Sequence, residues 1–366
     1  MSRNEAIKKA PSQIDYESVC GVDALYFYIK VDKVDYTDFY INHLLNHHIE
    51  SQEFVLLSSD YNKQFTYFQH LGEIQKNKEI NSHQGFSPLQ DICRIGFKNL
   101  NSEDNLDSIL VQMSSAALQQ MTIDDIISYF TKLLNGLGLC PLKFQISRVD
   151  LNSYLFDFPL NWLSYDYFST KAKKVEPKYN GYELETFYLG SRNNGIFLRI
   201  YNKKRQLLTL PYNESLLKEH LISLKYIQKY LKSPDYTELW NIEIELRREQ
   251  LKLYKIDTLE DFNNKVNSLF KMVMTKTFRL LEEKKSMTQH DNRIKTHTVW
   301  DHIINDYNYN DNLAIEIDKE KLKEYKRDVK WLKNRIEEFL SEPLNQDLAI
   351  RKEVNYLLEY LKQKGV

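Results

Sequence analysis

Gly190-Ser191-Arg192-Asn193-Asn194-Gly195-Ile196-Phe197-Leu198-Arg199-Ile200-Tyr201-Asn202-Lys203-Lys204 reads as a glycine-bounded turn followed by an alternating strand. From Phe197 the alternation sends Phe197, Arg199, Tyr201 and Lys203 to one face and Leu198, Ile200 and Asn202 to the other. One tyrosine therefore stands between two cations. A phenol with a pKa near ~10 is a weak nucleophile at neutral pH, and neighbouring Arg and Lys favour its ionised form while holding an incoming phosphate. The chain has 25 tyrosines. Taken alone, the stretch also reads as a half-exposed strand whose tyrosine packs and whose charges are solvated, so its neighbours must decide.

Two further strands supply carboxylates. In Leu239-Trp240-Asn241-Ile242-Glu243-Ile244-Glu245-Leu246-Arg247-Arg248, the glutamates alternate with aliphatic residues, so Glu243 and Glu245 emerge side by side while Ile242, Ile244 and Leu246 enter a core. Like charges two residues apart repel. A divalent cation or a group of basic residues relieves that cost, and an oxygen-rich pair suits Mg²⁺ or Mn²⁺. A solvated sheet face with salt bridges to Arg247 or Lys252 fits the same pattern. The strand Phe144-Gln145-Ile146-Ser147-Arg148-Val149-Asp150-Leu151 ends in an acid that Arg148 accompanies on one face.

Together these strands resemble the trans-acting rolling-circle replication initiators of small plasmids and the related nicking relaxases of integrative elements and filamentous phage. The likeness runs through Ser147-Arg148-Val149-Asp150-Leu151, Tyr188-Leu189-Gly190-Ser191-Arg192, Leu198-Arg199-Ile200-Tyr201-Asn202-Lys203-Lys204 and Ile242-Glu243-Ile244-Glu245-Leu246-Arg247, within residues 144 to 252. Gly21-Val22-Asp23-Ala24-Leu25-Tyr26-Phe27-Tyr28 looks like the family's first core strand. The resemblance implies an endonuclease that nicks one strand of origin DNA. Tyr201 would be the nucleophile, leaving a 5′-phosphotyrosyl link and a free 3′-hydroxyl. A metal held by Asp150, Glu243 and Glu245 would polarise the scissile phosphate, while Arg199 and Lys203 neutralise its developing charge. The implied partners are origin DNA, single-stranded or in a cruciform, a host helicase and polymerase, and a second copy of the chain, with no membrane. After Asp150 this chain departs from the family, reading Leu151-Asn152-Ser153-Tyr154-Leu155-Phe156-Asp157, so Asp157 rivals Asp150 as third carboxylate. A relaxase serving mobilisation and a non-catalytic DNA-binding protein of the same fold are the alternatives. A tyrosine recombinase fits poorly, since that chemistry uses an Arg and His constellation whereas these surroundings are acidic.

The 366 residues are 42% hydrophobic, enough for a large core and, by length, two or three domains. A net charge of -1 requires any nucleic-acid surface to be local. Eight Lys and Arg stand against two acids from Arg199 to Lys232, and against three in both 265–298 and 319–335. Three cysteines far apart, Cys20, Cys93 and Cys140, suggest neither a disulfide framework nor a zinc knuckle. No apolar stretch suggests a leader or a membrane span, and a cytoplasmic protein is expected. A phosphate-cradling Gly-Lys-Ser/Thr loop is missing, so unwinding would fall to the helicase.

Along the chain, Tyr36 to Ile49 has helical spacing and carries His43, His47 and His48, read as structural or solvated because no acid-bearing zinc motif surrounds them. Strands are predicted at Phe54–Ser59, Gln64–Leu71, Ile92–Phe97 and Phe144–Leu151. A helix is predicted from Thr122, its cap, to Leu134. Helical periodicity returns at Leu259–Glu283. Lys284–Thr298 reads as a linker, and helices follow at 299–309, 319–340 and 347–362. The expected fold is α+β, an antiparallel sheet catalytic core covered by helices, with a catalytic region over 1–283 and a helical C-terminal region over 299–366. Tyr154, Trp162 and Tyr188 are candidates to stack on bases.

Overall fold

A computed structural model describes residues 17–31, 53–57, 65–72, 90–98, 108–118, 120–209, 238–285 and 290–309. The first half contains β1 (Ser18–Val31), β2 (Phe54–Leu56), β3 (Phe65–Gly72), β4 (Gln90–Lys98), β5 (Ser108–Met113), α1 (Ser115–Leu118), α2 (Ile123–Gly136) and β6 (Pro141–Phe156). The second half begins with β7 (Phe168–Ser169), β8 (Val175–Asn180), β9 (Glu183–Ser191), β10 (Ile196–Asn202), α3 (Lys203–Thr209) and β11 (Leu239–Arg247). It continues with α4 (Arg248–Leu253), α5 (Leu259–Lys276), β12 (Arg279–Leu280) and α6 (Thr298–Asp306). Ten strands form one antiparallel sheet in the order β2-β3-β4-β5-β1-β6-β11-β10-β9-β8, so the fold is α+β as expected.

Alternation explains why one face is dry. Leu25, Phe27 and Ile29 of β1, Ile146, Val149 and Leu151 of β6, Ile242, Ile244 and Leu246 of β11, and Leu198 and Ile200 of β10 all enter one core. Helices close it from the other side. Phe130 of α2 meets Phe27 edge to face at 5.6 Å, while Phe262, Val266 and Phe270 of α5 and Trp300 of α6 complete the layer. The start of α2 follows its sequence closely: Thr122 caps it, accepting from the Asp125 backbone N–H at 3.1 Å, and Asp125 accepts from the Thr122 N–H at 2.9 Å.

β6 is longer than its predicted 144–151, because Ser153 and Leu155 continue the core-facing series and β1 pairs along it to Ser18. The helix expected over 259–283 stops at Lys276, where the chain turns into β12 against β7. The expected linker is partly structured: Arg279 donates to the carbonyls of Ile294 and Asp291, at 2.9 and 2.6 Å, and the His297 N–H donates to Leu280 O at 2.9 Å. Val299, Trp300, Ile303 and Ile304 then bury in the same core as the sheet. The predicted helix at 36–49 with its three histidines, and those at 319–340 and 347–362, lie outside the described residues. Among those described, no helix is long and apolar enough to cross a membrane.

Candidate active site

The face opposite the core carries polar residues in register. Arg199 lies opposite Glu243 and Tyr201 opposite Asn241 in the β10–β11 ladder. Glu243 lies opposite Asn152 and Glu245 opposite Asp150 in the β11–β6 ladder. Period-two geometry therefore brings Asp150, Arg199, Tyr201, Glu243 and Glu245 to one side of three adjacent strands. Lys203 arrives differently. It is the first residue of α3 rather than the end of a strand, yet its Nζ stands 5.6 Å from the centre of the Tyr201 ring.

Tyr201 is nearly buried, and its Oη accepts a hydrogen bond from Asn241 Nδ2 at 2.8 Å. Asn241 Oδ1 in turn accepts from Asn152 Nδ2 at 3.3 Å. The phenol accepts here, so its own proton remains to be given away. The Arg199 guanidinium lies 5.3 Å from the ring centre and pairs with Glu243. Burial, with Glu243 and Asp23 adding negative charge, raises the Tyr201 pKa above its ordinary value despite Asn241 and Arg199. The expected cationic activation is thus outweighed, and at neutral pH the phenol keeps its proton until it reacts. Burial also lowers the Lys203 pKa, against the pull of Asp23 and Glu243.

The three predicted carboxylates occupy two different settings. Glu243 is 2% exposed. Burial, opposed by Arg199 and reinforced by the charges of Asp23 and Asp150, raises its pKa to about 8. Asp150 accepts from Arg148 Nε at 2.8 Å, and burial raises its pKa against that attraction. Glu245 is held by arginines: Arg148 Nη2 at 3.2 Å and Arg192 Nε at 3.1 Å on Oε2, and Arg247 Nε at 2.7 Å on Oε1. Among the described residues, no three His, Cys, Asp or Glu side chains form a ready metal-holding group. The oxygen donors that best suit a divalent cation are the carboxyls of Glu243 and Asp150, which hydrogen-bond each other, with the charge of Asp23 nearby.

Asp23 was not singled out as a site residue from the sequence. It is the extra residue of a β-bulge, where pairing with β6 steps from Val22–Leu151 to Ala24–Asp150. Its charge reaches Tyr201, Lys203 and Glu243. A cavity of about 400 Å³ opens beside it, lined also by Asn152, Tyr154, Asn263 and Tyr309. Asp157 sits past the end of β6, with φ of 56° and its N–H donated to Glu238 O at 3.0 Å, so Asp150 is the acid placed beside the glutamates. Of the candidate base-stackers, Tyr154 is buried and Trp162 stacks on His297 at 5.3 Å. Tyr188 stacks on Phe197 at 5.5 Å.

No protein-family model matches the chain, and no curated protein matches it. Among solved structures, the chain is similar to the rolling circle replication initiator protein from Geobacillus stearothermophilus. The identity is 14% and the TM-score 0.47, over 79% of this chain and 96% of that one.

Proposed function

We propose that this chain nicks one strand of DNA through Tyr201, as an initiator of rolling-circle replication. The observation that carries the reading is a buried tyrosine hydroxyl, oriented by Asn241, on a sheet face that also holds Arg199, Lys203 and Glu243. Tyr201 Oη forms a bond to phosphorus, the bond from phosphorus to the 3′-oxygen breaks, and the departing oxygen takes up a proton. The phenolic proton is released to water, and Lys203, whose Nζ lies beside the ring, neutralises charge that develops on the phosphate. Arg199 stabilises negative charge on the phosphate oxygens. Glu243 and Asp150 would hold Mg²⁺ or Mn²⁺, which would supply Lewis-acid polarisation of the phosphate. Glu245 anchors Arg148, Arg192 and Arg247 along the same face. Origin DNA is then the substrate, with a host helicase and polymerase acting downstream and a second copy of the chain as a partner.

The test is incubation with supercoiled DNA of the same replicon and Mn²⁺, followed by denaturing electrophoresis. Wild type should give an open circle with protein linked to the 5′ end, and Tyr201→Phe should give none while still retarding the DNA. Adduct formation by that variant would move the nucleophile elsewhere.

A further inference from the structure

Three arginines converge on one carboxylate at the far end of the polar face. Arg148 and Arg247 lie directly opposite each other in the β6–β11 ladder, where two like charges repel. Glu245, two residues earlier on β11 and nearly buried, relieves them: Arg148 Nη2 approaches its Oε2 to 3.2 Å, and Arg247 Nε donates to its Oε1 at 2.7 Å. A third guanidinium, Arg192 from the turn after β9, donates through Nε to Oε2 at 3.1 Å. Counting Asp150, which Arg148 also holds, three cations meet two carboxylates, so the cluster keeps an excess of positive charge.

The three guanidiniums differ in what they leave free. Arg148 is the least exposed and spends its Nε and Nη2 on Asp150 and Glu245, above the Tyr26 ring. The side chains of Arg192 and Arg247 are 52% and 41% exposed and meet Glu245 only through Nε; among the described residues, their terminal Nη groups have no hydrogen-bond acceptor. Two outward forks from adjacent arginines match the oxygens of a phosphodiester. Their position is set before any ligand arrives. The Arg247 N–H donates to Gly195 O at 2.8 Å and Gln250 Nε2 to Asn194 O at 3.2 Å, which pins the turn carrying Arg192 against β11 and α4. Phe197 supports the Arg192 guanidinium at 5.6 Å. Tyr201 lies opposite Asn241, four residues before Glu245 on β11, or about 13 Å at ~3.3 Å per residue. That distance excludes the scissile phosphate and suits a neighbour on the same strand.

We propose that Arg192 and Arg247 form a second phosphate site, holding a backbone phosphate of the DNA strand that neighbours the one attacked by Tyr201. This rests on Tyr201 being the nucleophile. Glu245 then serves as the buried anchor that aims both forks outward. Fluorescence anisotropy of a labelled oligothymidylate with the full chain, across a potassium chloride series, tests it. The double variant Arg192→Gln/Arg247→Gln should bind about tenfold or more weakly, and its plot of log affinity against log salt should be shallower by about 0.7, the value of one phosphate on a single strand. Arg192→Lys/Arg247→Lys restores the charge without the fork, so it should recover the slope but not the full affinity. Arg192→Gln alone leaves Glu245 two guanidiniums, so its melting temperature should report an intact fold while its binding weakens in the same direction. Wild-type affinity and slope in Arg192→Gln overturn the proposal, as does a double variant that binds the oligonucleotide normally and loses only the binding of polyglutamate. Covalent adduct formation separates the two readings. Slopes that differ as stated in a protein that forms no adduct sink the nicking assignment alone, and adduct formation with equal slopes sinks this site alone.

Discussion

Tyr201 and Glu243 share one electrostatic problem, because burial favours the neutral form of each and the carboxylates around them reinforce it. Tyr201→Phe keeps the ring but leaves Asn241 Nδ2, which is buried, without its acceptor. A loss of about 1–3 kcal/mol is expected alongside the loss of nicking, and urea unfolding would measure it. Glu243 gives a pH signature. Its folded pKa, about 8, lies above its ordinary 4.5, so the folded state holds the proton more tightly than the unfolded chain. The stability this confers is full below the ordinary value and disappears as pH rises through the folded one, with a slope of at most ~1.4 kcal/mol per pH unit per proton. In chelator, the melting temperature should fall from about pH 4.5 to about pH 8, and Glu243→Gln should flatten the fall. Mn²⁺ should bind more tightly at the higher pH, because it no longer displaces a proton. Affinity independent of pH, or unchanged in Glu243→Gln, would remove Glu243 from the metal set.

Strand alternation made most of this site legible. The run Ile242-Glu243-Ile244-Glu245 admits only one placement once its aliphatics are in the core, and Arg199 and Tyr201 follow by the same rule. What alternation could not show was where the pattern breaks. The bulge at Asp23 adds a residue without any mark in composition, and the arginines that hold Glu245 come from β6, β11 and the turn after β9. The edge hairpin hides for another reason, since Pro177, Lys178 and Gly181 make β8 look like a loop. The turn joining β9 to β10 is where the backbone itself is most constrained. Gly190 has φ of 94°, and a Cβ there would meet Ile196 O at 3.1 Å. Gly190→Ala should therefore cost about 1–3 kcal/mol, loosen β10 and lower nicking more than it lowers DNA binding. Unchanged stability in thermal melts would show that the turn relaxes freely.

At the scale of the whole molecule, the sheet's dry face depends on elements far along the chain. Sequence periodicity suggested a catalytic region ending near residue 283 and a separate helical region from 299. Yet α6 lies in the common core: Val299, Trp300 and Ile303 are fully buried, Trp300 Nε1 donates to Phe278 O at 2.8 Å, and Tyr307 Oη donates to Gly21 O at 3.0 Å. The second of these bonds, made by the residue that follows α6, reaches β1 two residues before Asp23, so the end of this segment also braces the strand that brings Asp23 to the site. Each such apolar side chain contributes about 1.5–3 kcal/mol when buried, against a typical total of about 5–15 kcal/mol for a domain. A chain ending at Lys285 should consequently lose cooperative unfolding and its near-ultraviolet dichroism, and with them all nicking. One ending at Tyr309 keeps every described contact of α6 and should melt cooperatively. If the shorter chain folds and nicks, α6 is an accessory layer, and the boundary suggested by sequence periodicity is the functional one.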